Sequence, residues 1–189
     1  MTPQARIDNY HETTGFPSSL FVGGDGRING VWIMGNNYQV KTTYYGGYPH
    51  GYLKRVAALF PDRQNVLHLF SGKVDTTIFA GDTVDINADN DPTYVDDAQT
   101  LLNVPLEKYD LVLADPPYSV EDAEHYKTTM IKRNVVMRAL ERLPVGAKIV
   151  WLDQVLPMFK KDYYKIYGVI GMVKSTNHRF RVVTIFERI

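Results

Sequence analysis

Three runs of this sequence are apolar at consecutive positions: Asn65–Phe70 (NVLHLF), Tyr109–Ala114 (YDLVLA) and Ala147–Leu152 (AKIVWL). Strands of that kind are buried on both faces, as in parallel sheets clothed by other elements on each side. Weaker signals lie around them. Asp82–Asn87 (DTVDIN) reads as a second strand and Thr93–Val95 as a short third, running into a weak helical stretch at Ala98–Asn103. Tyr52, Leu53, Val56, Ala57, Leu59 and Phe60 have helical spacing, stopped by Pro61. Residues 122–142 predict a helix with Val135, Val136, Ala139, Leu140 and Leu143 on one face. Lys165–Val173 and Arg179–Ile189 are β-rich runs parted by Lys174–His178, the pattern of a hairpin. Together these predict an α/β fold with a mainly parallel seven-stranded sheet and an antiparallel C-terminal hairpin edge.

Residues 1–48 differ from the rest. They are rich in Gly, Asn, Thr and Tyr, show little helical periodicity, and carry turn signals at Gly23–Gly26 and Asn29-Gly30. β-prone stretches at Leu20–Val22 and Val31–Met34 predict a small hairpin or an irregular extension. The length of 189 residues suits one domain with such an extension. Cysteine is absent, which excludes a disulfide scaffold, a thiol nucleophile and thiolate metal sites. No apolar run approaches the roughly 18 residues of a membrane span, and the N-terminal residues are polar. The expectation is a cytoplasmic protein that does not engage a membrane. Lys plus Arg equals Asp plus Glu, 21 each, so a dedicated, basic nucleic-acid architectural protein is disfavoured. An enzyme touching nucleic acid through a local basic strip is not.

Asp115-Pro116-Pro117-Tyr118 carries the most chemistry. It follows YDLVLA directly, at the carboxyl end of a central strand, the edge where open α/β sheets bind ligands. Two prolines fix φ and remove two backbone donors, which stiffens the segment and leaves its carbonyls free to accept. Asp115 adds a carboxylate acceptor and Tyr118 a flat ring. Acceptors beside a stacking ring suit an exocyclic amino group on a base. The five histidines show no metal-ligand spacing, so no metal site is expected, and His68, inside an apolar strand, reads as a satisfied core residue.

Leu111–Tyr118 (LVLADPPY) resembles the catalytic motif of S-adenosylmethionine-dependent amino methyltransferases acting on adenine N6 or cytosine N4. The resemblance implies that Asp115 and the Pro116 carbonyl bind the target amine, that Pro117 stiffens the turn, and that Tyr118 stacks on the flipped base. The aspartate form is commonest among the adenine-N6 DNA enzymes. Val66–Gly72 is similar to the family's cofactor motif, an apolar strand ending in Phe-x-Gly, which implies a cofactor turn at Leu69, Phe70, Ser71 and Gly72. Many members carry another glycine two residues on, where this chain has Val74. Asp85 fits the acidic residue that accepts from the ribose hydroxyls, Ile86 and Asn87 follow it against the adenine, and Asp97, with Asp96 as competitor, fits the contact to the adenine amine. A solvated loop acid or a helix cap is the alternative reading of Asp97. Tyr44–His50 resembles an aromatic-glycine segment that closes over the cofactor, with Tyr45 and Gly46 its contacts.

The resemblance thus implies a Rossmann-like class I methyltransferase domain over residues 44–189, an N-terminal extension over 1–43, S-adenosylmethionine as cofactor, and nucleic acid, DNA foremost, as partner. No room remains for an inserted target-recognition domain. Recognition then falls to residues 1–43, to the loop after Tyr118, to an oligomer or to a partner, a compactness that suits a phage enzyme. Lys132 and Arg133, and Lys174 with Arg179 and Arg181, are candidate phosphate contacts or ordinary solvated surface. The competing readings are the same chemistry on RNA or a protein amide, and a degenerate nucleotide-binding α/β module.

Overall fold

The three consecutively apolar runs form the centre of one sheet. In the computed structural model, which describes residues 1–35, 48–125, 130–174 and 180–189, they are β3 (Val66–Leu69), β6 (Leu111–Ala114) and β7 (Lys148–Asp153). β3 pairs in parallel with β6, and β6 with β7. Every residue of the three is buried. Their side chains alternate between two cores. Val66, Leu111, Leu113, Val150 and Leu152 enter one, and Leu67, Leu69, Val112, Ala114, Ile149 and Trp151 the other. Burial on both sides is why the sequence shows no polar alternation here.

β4 (Asp82–Asp85) and β5 (Tyr94–Val95) extend the sheet in parallel beyond β3. β8 (Tyr164–Lys174) and β9 (Phe180–Arg188) form the expected hairpin. With β1 (Leu20–Val22) and β2 (Ile28–Met34), the order among the described residues is β1-β2-β8-β9-β7-β6-β3-β4-β5. Counted from β3, the last seven strands run 3-2-1-4-5-7-6, a Rossmann-like sheet with one antiparallel strand, and the order reverses between β3 and β6.

The sheet has nine strands, not seven, and the hairpin is not its edge. β2 (Ile28–Met34) pairs in parallel with β8, and β1 (Leu20–Val22) pairs antiparallel with β2. The N-terminal hairpin expected from Gly23–Gly26 exists, but it is built into the main sheet. Before it stands α1 (Pro3–Thr14), which weak periodicity hid. Its signals are at its ends. The Thr2 hydroxyl accepts from the Ala5 amide, Pro3 opens the helix, and Gly15 closes it with φ of 64°. Only Arg6, Ile7 and Tyr10 of α1 are buried. Arg6 makes a bidentate pair with Asp62 at 2.6 and 2.9 Å, donates to the Leu59 carbonyl, and lies over the Phe60 ring. It ties α1 to the end of α2 (Tyr52–Leu59).

α1 and α2 clothe one face. The other is covered by α4 (Arg133–Ala139), the 3₁₀ turn Leu140–Arg142, and Ala98, Leu101, Val104 and Leu106. Two helix expectations fail here. Residues 98–103 form turns, because the Thr100 and Leu101 amides both bond back to the Asp97 carbonyl and Leu101 then takes φ of 50°. The helix over 122–142 is broken. α3 (Val120–His125) and α4 are separate, and Lys132 is extended ahead of α4. The crossovers from β3 through β6 contain no α-helix among the described residues, only turns and 3₁₀ pieces at Ala88–Asn90 and Leu106–Lys108. No helix among the described residues is long and apolar enough to cross a membrane.

Candidate active site

The reversal of strand order places the carboxyl ends of β4, β3 and β6 side by side. Strands lie about 4.8 Å apart, so Asp85 at one end and the residues after Ala114 at the other are separated by roughly 10 Å. The turn after β3 lies between them. Phe70 has φ of 55° and Gly72 φ of 51°. A left-handed phenylalanine is strained by roughly 1–2 kcal/mol, a cost such turns bear where a backbone must be presented to a ligand. The Ser71 amide donates to the Val84 carbonyl at 3.1 Å, and the Val74 amide to the Ser71 carbonyl at 3.0 Å. Val74 therefore closes the turn after β3.

Asp85 holds this arrangement. Its Oδ2 accepts the Gly72 amide at 2.8 Å and its Oδ1 the Asn87 amide at 2.8 Å. A carboxylate offers about four lone-pair positions, so two such bonds leave capacity for a diol. β4 ends at Asp85, short of the expected Asn87. Ile86 beyond it is 47% exposed, a large apolar side chain at the rim. Asn87 caps the 3₁₀ turn after it, accepting the Asp89 amide. The donor set and exposed apolar rim fit a nucleoside. Leu69 is buried in the core and acts through the strand rather than by contact.

Asp96 and Asp97 separate cleanly. Asp96 is buried, with its carboxylate taking the Asp97 amide at 2.8 Å and the Asn103 amide at 2.7 Å. It staples a loop. Asp97, half-buried, accepts the Gln99 amide at 2.9 Å in the manner of a turn cap. Tyr45 and Gly46 lie outside the described residues.

The stretch after β6 is stiff and largely buried: Pro116 and Pro117 are buried, Asp115 and Tyr118 half-buried. The Tyr118 hydroxyl donates to Asp115 Oδ1. Burial first, and then the Asp115 carboxylate, hold the Tyr118 phenol well above its usual range, with Arg181 opposing, so it stays a donor. Tyr52, the first residue of α2, and Tyr48, four residues before it, stack their rings at 5.0 Å. Burial and the Asp115 charge raise both phenols well above their usual range. Among the described residues both buried hydroxyls lack a hydrogen-bond partner, as does Nε of Arg181. Each such orphan costs roughly 1–3 kcal/mol.

The third wall was not apparent from sequence. Asp153, fully buried at the end of β7, takes Arg133 Nε and Nη2 at 2.6 and 3.1 Å, Trp151 Nε1 at 3.0 Å and the Gln154 amide at 2.7 Å. Arg133 is thus engaged in the wall rather than held for a phosphate. An aspartate closing an otherwise buried strand was the available signal. His68 proves only half-satisfied: Nε2 bonds the Phe79 carbonyl at 3.0 Å while Nδ1 is buried without a partner. No cluster of potential metal ligands occurs among the described residues.

No protein-family model matches the chain, and no curated protein is a significant match. Solved structures do resemble it. A protein of Streptococcus mutans described as a methyltransferase, in complex with SAH, is 12% identical with a TM-score of 0.43 over 67% of this chain and 88% of that one. An rRNA methylase from Streptococcus thermophilus is 10% identical, with a TM-score of 0.44, over 67% and 88%. An E. cuniculi complex responsible for methylating a translation termination factor is 19% identical, with a TM-score of 0.43, over 67% and 85%. At such scores neither substrate nor chemistry passes to this chain, whose fold assignment rests on its own strand order.

Proposed function

We propose that the protein transfers a methyl group from S-adenosylmethionine to an exocyclic amine of a nucleic-acid base, with N6 of adenine in DNA favoured. The observation that carries this is the placement of Asp115-Pro116-Pro117-Tyr118 at the end of β6, one strand from the left-handed Phe70–Gly72 turn and two from Asp85. Acceptors for an amine and a carboxylate for a ribose thus open on one crevice at the switch point. In this reading residues 44–189 form the methyltransferase unit and residues 1–43 extend it. The placement in the cytoplasm, and recognition through an oligomer or a partner, belong to the same proposal.

Asp85 would receive the ribose hydroxyls with its remaining lone pairs, the Phe70–Gly72 backbone would hold the methionine part, Ile86 and Asn87 would flank the adenine, and Asp97 would accept from its amine. Tyr45 and Gly46 are assigned to the cofactor by the sequence resemblance alone. When bound, S-adenosylmethionine supplies an electrophilic methyl group on a positively charged sulfur. Asp115 and the Pro116 carbonyl accept the two amine hydrogens, which draws the nitrogen toward tetrahedral geometry and aims its lone pair. Orientation of this kind is worth several kcal/mol, up to about 7–11 in ideal cases. The carboxylate also stabilises the positive charge that grows on nitrogen. Tyr118 offers the flipped base a stacking surface, offsetting part of the few kcal/mol that flipping costs.

The test is transfer of labelled methyl to duplex DNA, RNA and protein, followed by nucleoside analysis. N6-methyladenine in DNA is expected. Asp115→Ala should abolish transfer and leave cofactor binding within about threefold. Label in RNA or on a protein amide would move the substrate class, and a folded protein that binds no S-adenosylmethionine would overturn the reading entirely.

A further inference from the structure

Arg181 lies one residue outside the β7–β9 pairing, beyond Val182, the partner of Asp153. It shares a face with Val183 and Ile185, the face that α1 and α2 cover, so it points toward the start of α2 at the carboxyl edge. Its guanidinium sits 4.5 Å over the Tyr118 ring, and Tyr118 in turn bonds Asp115. Its Nε is buried and has no hydrogen-bond partner among the described residues. Two further buried polar atoms without partners, the Tyr48 and Tyr52 hydroxyls, belong to residues on which the Asp115 charge acts, and the Arg181 charge acts on Tyr52. An arginine over the Tyr118 ring whose Nε–H meets no acceptor among the described residues is a donor placed for an acceptor on a ligand.

The amines that a base can present lie beside such acceptors. An adenine amine is flanked by the ring nitrogens N1 and N7, both acceptors, so a donor hydrogen and an acceptor stand side by side on one edge. Resting on the methyltransferase reading above, we propose that Arg181 is a specificity-determining residue, its Nε–H donating to a ring nitrogen beside the target amine while Asp115 accepts from the amine itself. Arginine carries donors only, and Asp115, when ionised, acceptors only. A base with a carbonyl in place of the amine would set oxygen against the Asp115 carboxylate, and a base with carbon in place of the flanking nitrogen would leave the arginine donor buried and unmet. The stack on Tyr118 holds the guanidinium plane in place for this contact.

The experiment compares wild type and Arg181→Met on duplex oligonucleotides carrying adenine, 1-deazaadenine or 7-deazaadenine at the target. The wild type should lose about 10- to 100-fold in kcat/KM on one of the two deaza substrates. Arg181→Met should lose a similar factor on adenine and nothing further on that analogue, while Arg181→Gln, which keeps an N–H donor, should restore part of the discrimination. Calorimetric S-adenosylmethionine binding by Arg181→Met should stay within about threefold of wild type, which separates a substrate contact from a collapsed site. Independent, multiplying losses overturn the assignment. So does a variant whose defect is erased by low salt with its deaza penalty intact, since that places Arg181 on a phosphate. If wild type transfers no methyl to any oligonucleotide, the nucleic-acid reading fails, and this inference with it; transfer with independent, multiplying losses refutes the Arg181 role alone.

Discussion

Replacing Asp85 should weaken the fold as well as cofactor binding. The carboxylate accepts two backbone amides at 2.8 Å, one from the turn after β3 and one from the exit of β4. Hydrogen bonds to charged acceptors contribute roughly 1.5–3 kcal/mol net when sheltered. Asp85 is half-exposed, so water can replace part of each bond, and about 1 kcal/mol apiece is the better figure. Asp85→Ala should therefore lose about 2 kcal/mol, which lowers Tm by roughly 4–8 °C in a chain of this size. Asp85→Asn keeps one acceptor and turns an NH₂ toward the second amide, so about 1 kcal/mol or somewhat more is expected. Thermal unfolding followed by circular dichroism, with urea titration for ΔG, reads both. A Tm for Asp85→Ala within 1 °C of wild type would refute the reasoning, because the tie between β3 and β4 would then carry no free energy. The same numbers bear on cofactor titrations. An alanine variant that fails to bind is uninformative until its fold is measured at the titration temperature, whereas the asparagine variant largely keeps the turn and isolates the diol contact.

Three further outcomes follow from the geometry. Burial, opposed only by the Phe79 carbonyl, lowers the His68 pKa below its usual 6.5, so the unfolded chain binds the proton more readily. The stabilisation from neutral His68 is complete above pH 6.5 and is lost as pH falls toward the folded pKa, at up to about 1.4 kcal/mol per pH unit. Urea midpoints between pH 7.5 and 5 should show that slope, and a flatter slope in His68→Gln should accompany it. Arg6→Met should cost about 2–3 kcal/mol in ΔG of unfolding. It leaves Asp62, about a third exposed, without its bidentate partner and strips α1 of its tie to the Leu59 carbonyl; a loss under 0.5 kcal/mol would contradict it. Tyr118→Ala should raise KM for a nucleic-acid substrate about 5- to 100-fold, while Tyr118→Phe, which keeps the ring, should stay within a few-fold; equal defects in the two would argue against stacking.

Much of the centre was legible in the chain. β3, β6 and β7 declare themselves because burial on both faces demands apolar residues at successive positions, and that demand is local. That Asp115-Pro116-Pro117-Tyr118, Phe70–Gly72 and Asp85 stand at strand ends was legible for the same reason, since each directly follows or closes a short strand-forming run. The rim was harder. α1 was missed because a helix that buries three residues leaves almost no periodic signal, although Thr2-Pro3 and Gly15 mark its ends. The stretch 98–103 has helical composition but is folded back by two amides on the Asp97 carbonyl, a choice that the packing of Leu101 enforces.

The contacts that complete the site come from residues far apart in sequence. Arg181 reaches Tyr118 and Arg133 reaches Asp153, each pairing created by strand order. Likewise Val31 and Ile33 announce a strand, yet nothing local says that β2 will lie in parallel along β8 and move the hairpin inside the sheet. Local sequence specifies which backbone conformation and which side chains stand at each strand end. Which ends become neighbours depends on loop closure and on burying two faces at once, properties of the whole chain.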